Sequence, residues 1–250
     1  MSGYLALRGV SVSFSGFLAV NNLDLTVQKG ELRCLIGPNG AGKTTALDLI
    51  CGKTRPQSGT ITLSDVSLHA LEDYQIARAG VGRKFQVPSV FRDLTVRQNL
   101  EVAYARETGV FTTLRRSARG AEANGLEMLA DLVGLREELA KPAAYLSHGQ
   151  TQWLEIGMLL AQDAALILMD EPTAGMTAQE TRKTAELFLR LKGKHTLIVV
   201  EHDMGFVKAI GDVISVMHQG RLLAEGTVRE IETHPEVKKA YLGSGGISNA

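Results

Sequence analysis

Eight consecutive residues, Gly37-Pro38-Asn39-Gly40-Ala41-Gly42-Lys43-Thr44, carry the chemistry on which the rest of the chain depends. They fill every fixed position of G-x-x-x-x-G-K-[ST], the loop that cradles nucleotide phosphates. Glycines in such a loop let successive backbone N–H groups turn inward on an anion, and the following helix adds the positive end of its dipole. A lysine at position 43 reaches the β- and γ-phosphates, and a threonine at 44 offers its hydroxyl to Mg²⁺. With glycine at about 7% usage, a chance match should arise in on the order of one chain in a hundred of this length. The flanks lower that further. Glu31 to Ile36 is a short apolar segment of strand type, and Thr45 to Ile50 reads as the first turns of a helix. The segment Gly37 to Thr45 is therefore assigned to nucleotide binding.

Three later strand ends carry polar residues suited to a Mg²⁺-nucleotide, and in open α/β sheets ligands sit outside the carboxyl ends of strands. Ala165-Leu166-Ile167-Leu168-Met169 is a continuous apolar run that ends on Asp170-Glu171-Pro172. Asp170 is placed to hold Mg²⁺ directly or through water. Glu171, one residue on, is placed to orient or deprotonate the attacking water. His202 follows the apolar run Thr196 to Val200 and is assigned to the γ-phosphate or the water. Gln86 ends the strand-like Val81 to Phe85 as the third polar strand end, and taken alone it fixes no role. A separate stretch, Leu146-Ser147-His148-Gly149-Gln150, opens a helix. Ser147 with Gln150 forms a capping box, and a capped helix N-terminus can also point free N–H groups at an anion. Thr177 and Glu180 cap a later helix in the same way.

These residues require an α/β frame. Leu5 to Val12 and Leu23 to Val27 alternate apolar and polar residues, which predicts antiparallel strands ahead of the loop. Helical segments are expected at Val96 to Ala105, at about 119–133 and at about 150–162, and they make residues 87–162 an inserted helical subdomain between core segments 1–86 and 163–250. Arg106 to Arg119 is expected to be an exposed connection, and residues 244–250 a frayed end. Strands and helices alternating elsewhere predict a largely parallel sheet. The chain has 27 Lys+Arg and 27 Asp+Glu, so no global basic field draws it to nucleic acid, and no nucleic-acid partner is expected. The two cysteines, Cys34 and Cys51, lack metal-ligand spacing and read as small core residues. No apolar run approaches the ~20 residues of a membrane span, and the N-terminus has no signal core.

The loop, Gln86, Leu146 to Gln150, Leu168 to Pro172 and His202, in this order and spacing, resemble the ATP-binding subunit of an ABC transporter. The resemblance covers nearly the whole chain. It implies a P-loop NTPase with a RecA-like core, an antiparallel β subdomain and a helical subdomain, working as a head-to-tail dimer. ATP with Mg²⁺ would lie between the phosphate loop of one subunit and the signature Ser147, Gly149 and Gln150 of the other. It implies that Phe14 stacks on adenine, that Thr44, Gln86 and Asp170 serve the metal, and that Glu171, His202 and Gln86 serve hydrolysis. His148 departs from the usual signature glycine, and Thr177 stands where many members have aspartate.

Within that family, Gly82 to Gln86, Ala174 to Thr177, Glu201 to Met204 and Ala240 to Gly243 resemble the branched-chain amino-acid importer branch. Arg83 to Gln86, Val90-Phe91, Leu146 to Gln150 and Trp153 to Gln162 are similar to the urea-importer ATPase. The expectation is thus an ATPase energising an importer for urea or a short-chain amide, or otherwise for branched-chain amino acids. A lipid exporter or a soluble ATPase acting on ribosome or DNA are the remaining readings. Transmembrane permease subunits, a second ATPase subunit (or a second copy in isolation) and an extracytoplasmic solute-binding protein are the implied partners. The implied location is peripheral, on the cytoplasmic face of the inner membrane.

Overall fold

The computed structural model describes residues 3–84, 89–105 and 119–242. Two strands, β1 (Leu5–Phe14) and β2 (Phe17–Val27), open the chain as a hairpin. Both are longer than the alternating pattern predicts. They meet across Ser15 and Gly16, which both have positive φ (49° and 85°), the requirement of a tight two-residue turn. Strand β3 (Leu32–Ile36) leads through the phosphate loop into helix α1 (Lys43–Ile50). Next come β4 (Ser58–Leu63), β5 (Val66–Ser67), α2 (Asp73–Arg78) and β6 (Val81–Lys84).

The middle of the chain is helical, with α3 (Val96–Ala105), α4 (Arg119–Leu132) and α5 (His148–Ala161). Then follow β7 (Leu166–Asp170), α6 (Ala178–Leu191), β8 (Thr196–Val200), α7 (Met204–Ile210), β9 (Val213–His218), β10 (Arg221–Gly226), α8 (Val228–Thr233) and α9 (Pro235–Leu242). Helices α2, α7, α8 and α9 have eight residues or fewer, about two turns each, too short to show a 3.6-residue period in the sequence. The expectations for residues 106–118 and 244–250 lie outside the described residues.

Strands β2-β1-β4-β5 form an antiparallel sheet, and β10-β9-β3-β8-β7-β6 form a second sheet in which only β10 runs antiparallel. The apolar runs of β3, β7 and β8 are explained by burial on both faces. Cys34, Ile167, Met169, Leu197 and Val199 point into a core shared with α3, α4, α5 and α6. Their neighbours Leu35, Leu166, Leu168, Ile198 and Val200 point into a second core shared with α1 and the antiparallel sheet. The period-2 alternation of side chains thus fastens a layer to each face of the parallel sheet. The carboxyl ends of β3, β6, β7 and β8 all open on one rim, and the phosphate loop, Asp170 and His202 are there.

Candidate functional site

The phosphate loop is set by close backbone approach. A Cβ on Gly37 (φ 149°) would lie 2.2 Å from the carbonyl oxygen of Met217, and one on Gly42 (φ 95°) 2.5 Å from that of Ala19. Only glycine fits at these two points, between β2 and the β9–β10 turn. The turn is tied to the loop by the amide of Gly220, which donates to Ala41 O at 3.0 Å. Lys43 Nζ donates to the carbonyls of Gly37 (2.7 Å) and Pro38 (3.1 Å), so its ammonium lies over the loop. Burial lowers the Lys43 pKa from its ordinary value, while the charges of Glu171 and Asp170 oppose that shift.

An open cavity of about 350 Å³ lies over this loop, with Asn39, Lys43, Thr44, Thr45 and Glu171 in its wall. Its aromatic residue is Phe17 and not Phe14. Phe14 and Phe17 pair across the hairpin, but β2 is the edge strand beside the loop while β1 lies one strand further in. Of the two aromatics, Phe17 rather than the expected Phe14 thus faces this cavity. The sequence carries both aromatics three positions apart and gives no means to choose between them.

Asp170, at the end of β7, is 2% exposed, and among the described residues neither carboxylate oxygen meets a hydrogen-bond donor. Arg83 Nη2 approaches its Oδ2 at 3.8 Å. Burial raises the Asp170 pKa; the nearby Thr44 hydroxyl and Arg83 pull it back, although the Thr44 hydroxyl does not close a hydrogen bond. A buried carboxylate without donors, next to a threonine hydroxyl, is the oxygen set a hard divalent cation takes. Mg²⁺ fits here.

Glu171 adopts φ +47°, rare for a non-glycine residue, so the chain leaves the extended path of β7 at this residue. Its amide donates to Val200 O at 2.9 Å. Its carboxylate reaches the cavity, and Oε1 lies 3.7 Å from Nδ1 of the exposed His202. Glu201, 1% exposed, accepts from the amide (3.1 Å) and hydroxyl (2.6 Å) of Thr173 and, through its other oxygen, from the His202 amide (3.1 Å). It thereby locks the loop after Glu171 to the end of β8. Sequence reasoning assigned Glu201 no role, because its partners are brought in only by the pairing of β7 with β8.

Gln86 lies outside the described residues. The residues that bracket its segment are both held by Glu155 of α5: Lys84 Nζ is 3.9 Å from Oε2, and the Ser89 amide donates to Oε1 at 2.7 Å. Lys84 and Glu155 are each 3% exposed, and burial lowers the lysine pKa and raises that of the acid. Glu155 too went unassigned from sequence.

Ser147, Gly149 and Gln150 stand apart from the cavity, at the N-terminus of α5. The predicted capping box is present: Ser147 Oγ accepts from the Gln150 amide at 3.1 Å and Gln150 Oε1 from the Ser147 amide at 2.9 Å. His148 Nε2 lies 2.9 Å from the carbonyl of Ala174 and 3.3 Å from Nε2 of Gln152. Thr177 and Glu180 cap α6 as predicted. The phosphate loop with its acids and the capped end of α5 are thus two separate features of the chain.

The family model described as ABC transporter matches residues 20–174. A second model, described as branched-chain amino acid ATP-binding cassette transporter, matches residues 221–247. The chain is 40% identical over 248 residues to the high-affinity branched-chain amino acid transport ATP-binding protein LivG of Escherichia coli (strain K12), covering 96% of this chain and 97% of that protein. It is 38% identical over 249 residues to BraF of Pseudomonas aeruginosa, a protein of the same description, with the same shares covered. Among solved structures, it resembles an ATP-binding cassette of an ABC transporter in its ADP conformation, with a TM-score of 0.82 and 26% identity over 97% of this chain and 100% of that one.

Proposed function

This chain belongs to the ABC transporter family as an ATP-binding, ATP-hydrolysing subunit, and on that premise we propose that it energises an importer for branched-chain amino acids. The observation that carries the ATPase chemistry is the meeting of Lys43, Thr44 and Glu171 in one cavity wall, with the donor-free carboxylate of Asp170 beside them. The solute class is supported by relatives about 40% identical across the whole chain and by the match of residues 221–247. A second reading, urea or a short-chain amide, rests on the stretches Arg83 to Gln86, Val90-Phe91, Leu146 to Gln150 and Trp153 to Gln162 and has less support.

In the proposed reaction, Lys43 and the amides of the phosphate loop hold the phosphates, and Phe17 receives the base. Thr44 and Asp170 would hold Mg²⁺, which when bound would supply positive charge to the phosphate oxygens. Glu171 accepts the proton of the attacking water, and His202 beside it steadies the carboxylate and the water. Gln86 is assigned to couple this site to the membrane subunit.

The separation of Ser147 from the cavity supports a head-to-tail pair, in which each nucleotide is closed by the signature of another ATPase subunit. That subunit is a different chain in the assembled importer or a second copy in isolation. Among the described residues no helix is long and apolar enough to cross a membrane, so permease subunits would provide the path and a solute-binding protein the specificity. The subunit would work at the cytoplasmic face of the membrane.

The test is co-purification of the Glu171→Gln chain with Mg-ATP from detergent-solubilised native membranes. Recovery of multi-spanning subunits and a second ATPase is expected, and the associated solute-binding protein should bind leucine, isoleucine or valine. A binding protein specific for urea would replace the solute assignment. Recovery of soluble partners alone would overturn the importer reading.

A further inference from the structure

We propose that Glu180 is a positioning residue of the signature, whose carboxylate holds the Ser147 hydroxyl and must release it before that hydroxyl can donate to a phosphate. The inference rests on the reading that Ser147 meets ATP on a partner subunit. Ser147 Oγ donates to Glu180 Oε1 at 2.8 Å while accepting from the Gln150 amide at 3.1 Å. A serine has one hydroxyl proton, and here it is committed. The other oxygen of Glu180 accepts from the amide and the hydroxyl of Thr177, both at 2.9 Å. One carboxylate thus bridges the N-termini of two fourteen-residue helices, α5 and α6.

Gly149 makes room for it. A Cβ at that position would lie 2.6 Å from both Cδ and Oε1 of Glu180. The carboxylate occupies the kind of place that favours an anion, at the positive end of a helix. The Thr177 amide first, then the Ser147 hydroxyl, hold its pKa below the ordinary glutamate value, with a smaller pull from the Gly149 amide. A second tie joins the same two loops, from His148 Nε2 to Ala174 O at 2.9 Å.

Both departures from the family pattern therefore act in one place: Thr177 holds Glu180, and His148 holds the loop that precedes it. A phosphate arriving at Ser147 would meet a spent donor and a like charge. Release of Glu180 frees both.

Two measurements on the full-length chain test this. In the first, Ser147→Cys is introduced with Cys51→Ser, and its alkylation rates by anionic iodoacetate and neutral iodoacetamide are compared. Adding Glu180→Gln should raise the iodoacetate-to-iodoacetamide ratio about fivefold, as expected when a unit charge about 4 Å away in water is removed. A loss of packing alone would speed both reagents together. An unchanged ratio means no carboxylate rests at position 147 and overturns the proposal. In the second, Glu171→Gln is titrated with Mg-ATP and dimerisation followed by sedimentation. Adding Glu180→Gln should lower the ATP concentration for half-dimer about fivefold; an equal or higher concentration overturns the release step. If Glu171→Gln forms no dimer at any ATP concentration, it is the proposed pairing that fails, and the alkylation ratio still upholds or overturns the hold of Glu180 on Ser147.

Discussion

Replacing Phe17 by alanine should weaken ATP binding about fifteenfold, while the same change at Phe14 should alter it less than about twofold. The magnitude follows from exposure. A phenylalanine offers about 200 Å² of surface, and Phe17 is 65% exposed, which leaves about 130 Å² in water. A base stacked on one ring face would cover about half of that. At about 25 cal/mol per Å² this is about 1.6 kcal/mol, within the range of roughly 1–3 kcal/mol for base–aromatic stacking, and it corresponds to about fifteenfold in Kd. Phe14 is 48% exposed, but it is not part of the cavity wall and has no base to cover it. The assay is isothermal titration calorimetry of each variant with Mg-ATP and, in parallel, with magnesium tripolyphosphate. The tripolyphosphate carries no base, so the Phe17→Ala effect should vanish with it. A larger loss for Phe14→Ala, or an equal loss with both ligands for Phe17→Ala, would refute the assignment.

Lys43→Ala removes a charged donor to the phosphates and should cost about 2 kcal/mol, or about thirtyfold in ATP affinity by the same titration; unchanged binding would count against the loop assignment. Glu171→Gln keeps the hydrogen-bonding shape but cannot take a proton, so turnover should fall by roughly 10²–10³ with ATP binding retained, as read by phosphate release; rapid turnover would remove Glu171 as the base. Glu201→Ala strands the amide and hydroxyl of Thr173 and the amide of His202, and urea unfolding should show a loss of about 3 kcal/mol; a change below about 1 kcal/mol would mean the loop after Glu171 is held by something else. Burial pushes the Cys34 thiol up to about 12, helped by the charges of Glu201 and Asp212, so at pH 8 only about one molecule in ten thousand carries the reactive thiolate. Mass spectrometry after iodoacetamide treatment at pH 8 should find Cys34 unmodified while the half-buried Cys51 is labelled, and rapid labelling of folded Cys34 would disprove the burial.

Much of the site was legible because its chemistry is local in sequence. The phosphate loop is one unbroken stretch, and the capping boxes at Ser147–Gln150 and Thr177–Glu180 each span four residues. Asp170, Glu171 and His202 announce themselves by standing at the ends of apolar runs, and those runs are apolar because β7 and β8 are buried on both faces. The same pattern specified the parallel sheet, the antiparallel strands ahead of the loop and the three helices of the middle segment. Short helices such as α2 and α7 escaped because two turns do not display a period.

Tertiary structure alone decided which aromatic faces the cavity, because Phe14 and Phe17 differ only in the strand that carries them and in its place at the sheet edge. It also decided that Glu180 is more than a cap. The residues Ser147 and Glu180 each complete a local box that the sequence predicts, yet their contact exists only because α5 and α6 begin side by side and Gly149 leaves room between them. Glu201 and Glu155 follow the same rule. Glu155 stands among apolar neighbours in the sequence and Glu201 beside His202 and Asp203, and the role of each comes from partners that helix packing or strand pairing brings from elsewhere in the chain. Spacing along the chain fixes which groups can act on a phosphate, whereas hydrogen bonds between distant segments fix which of them hold one another.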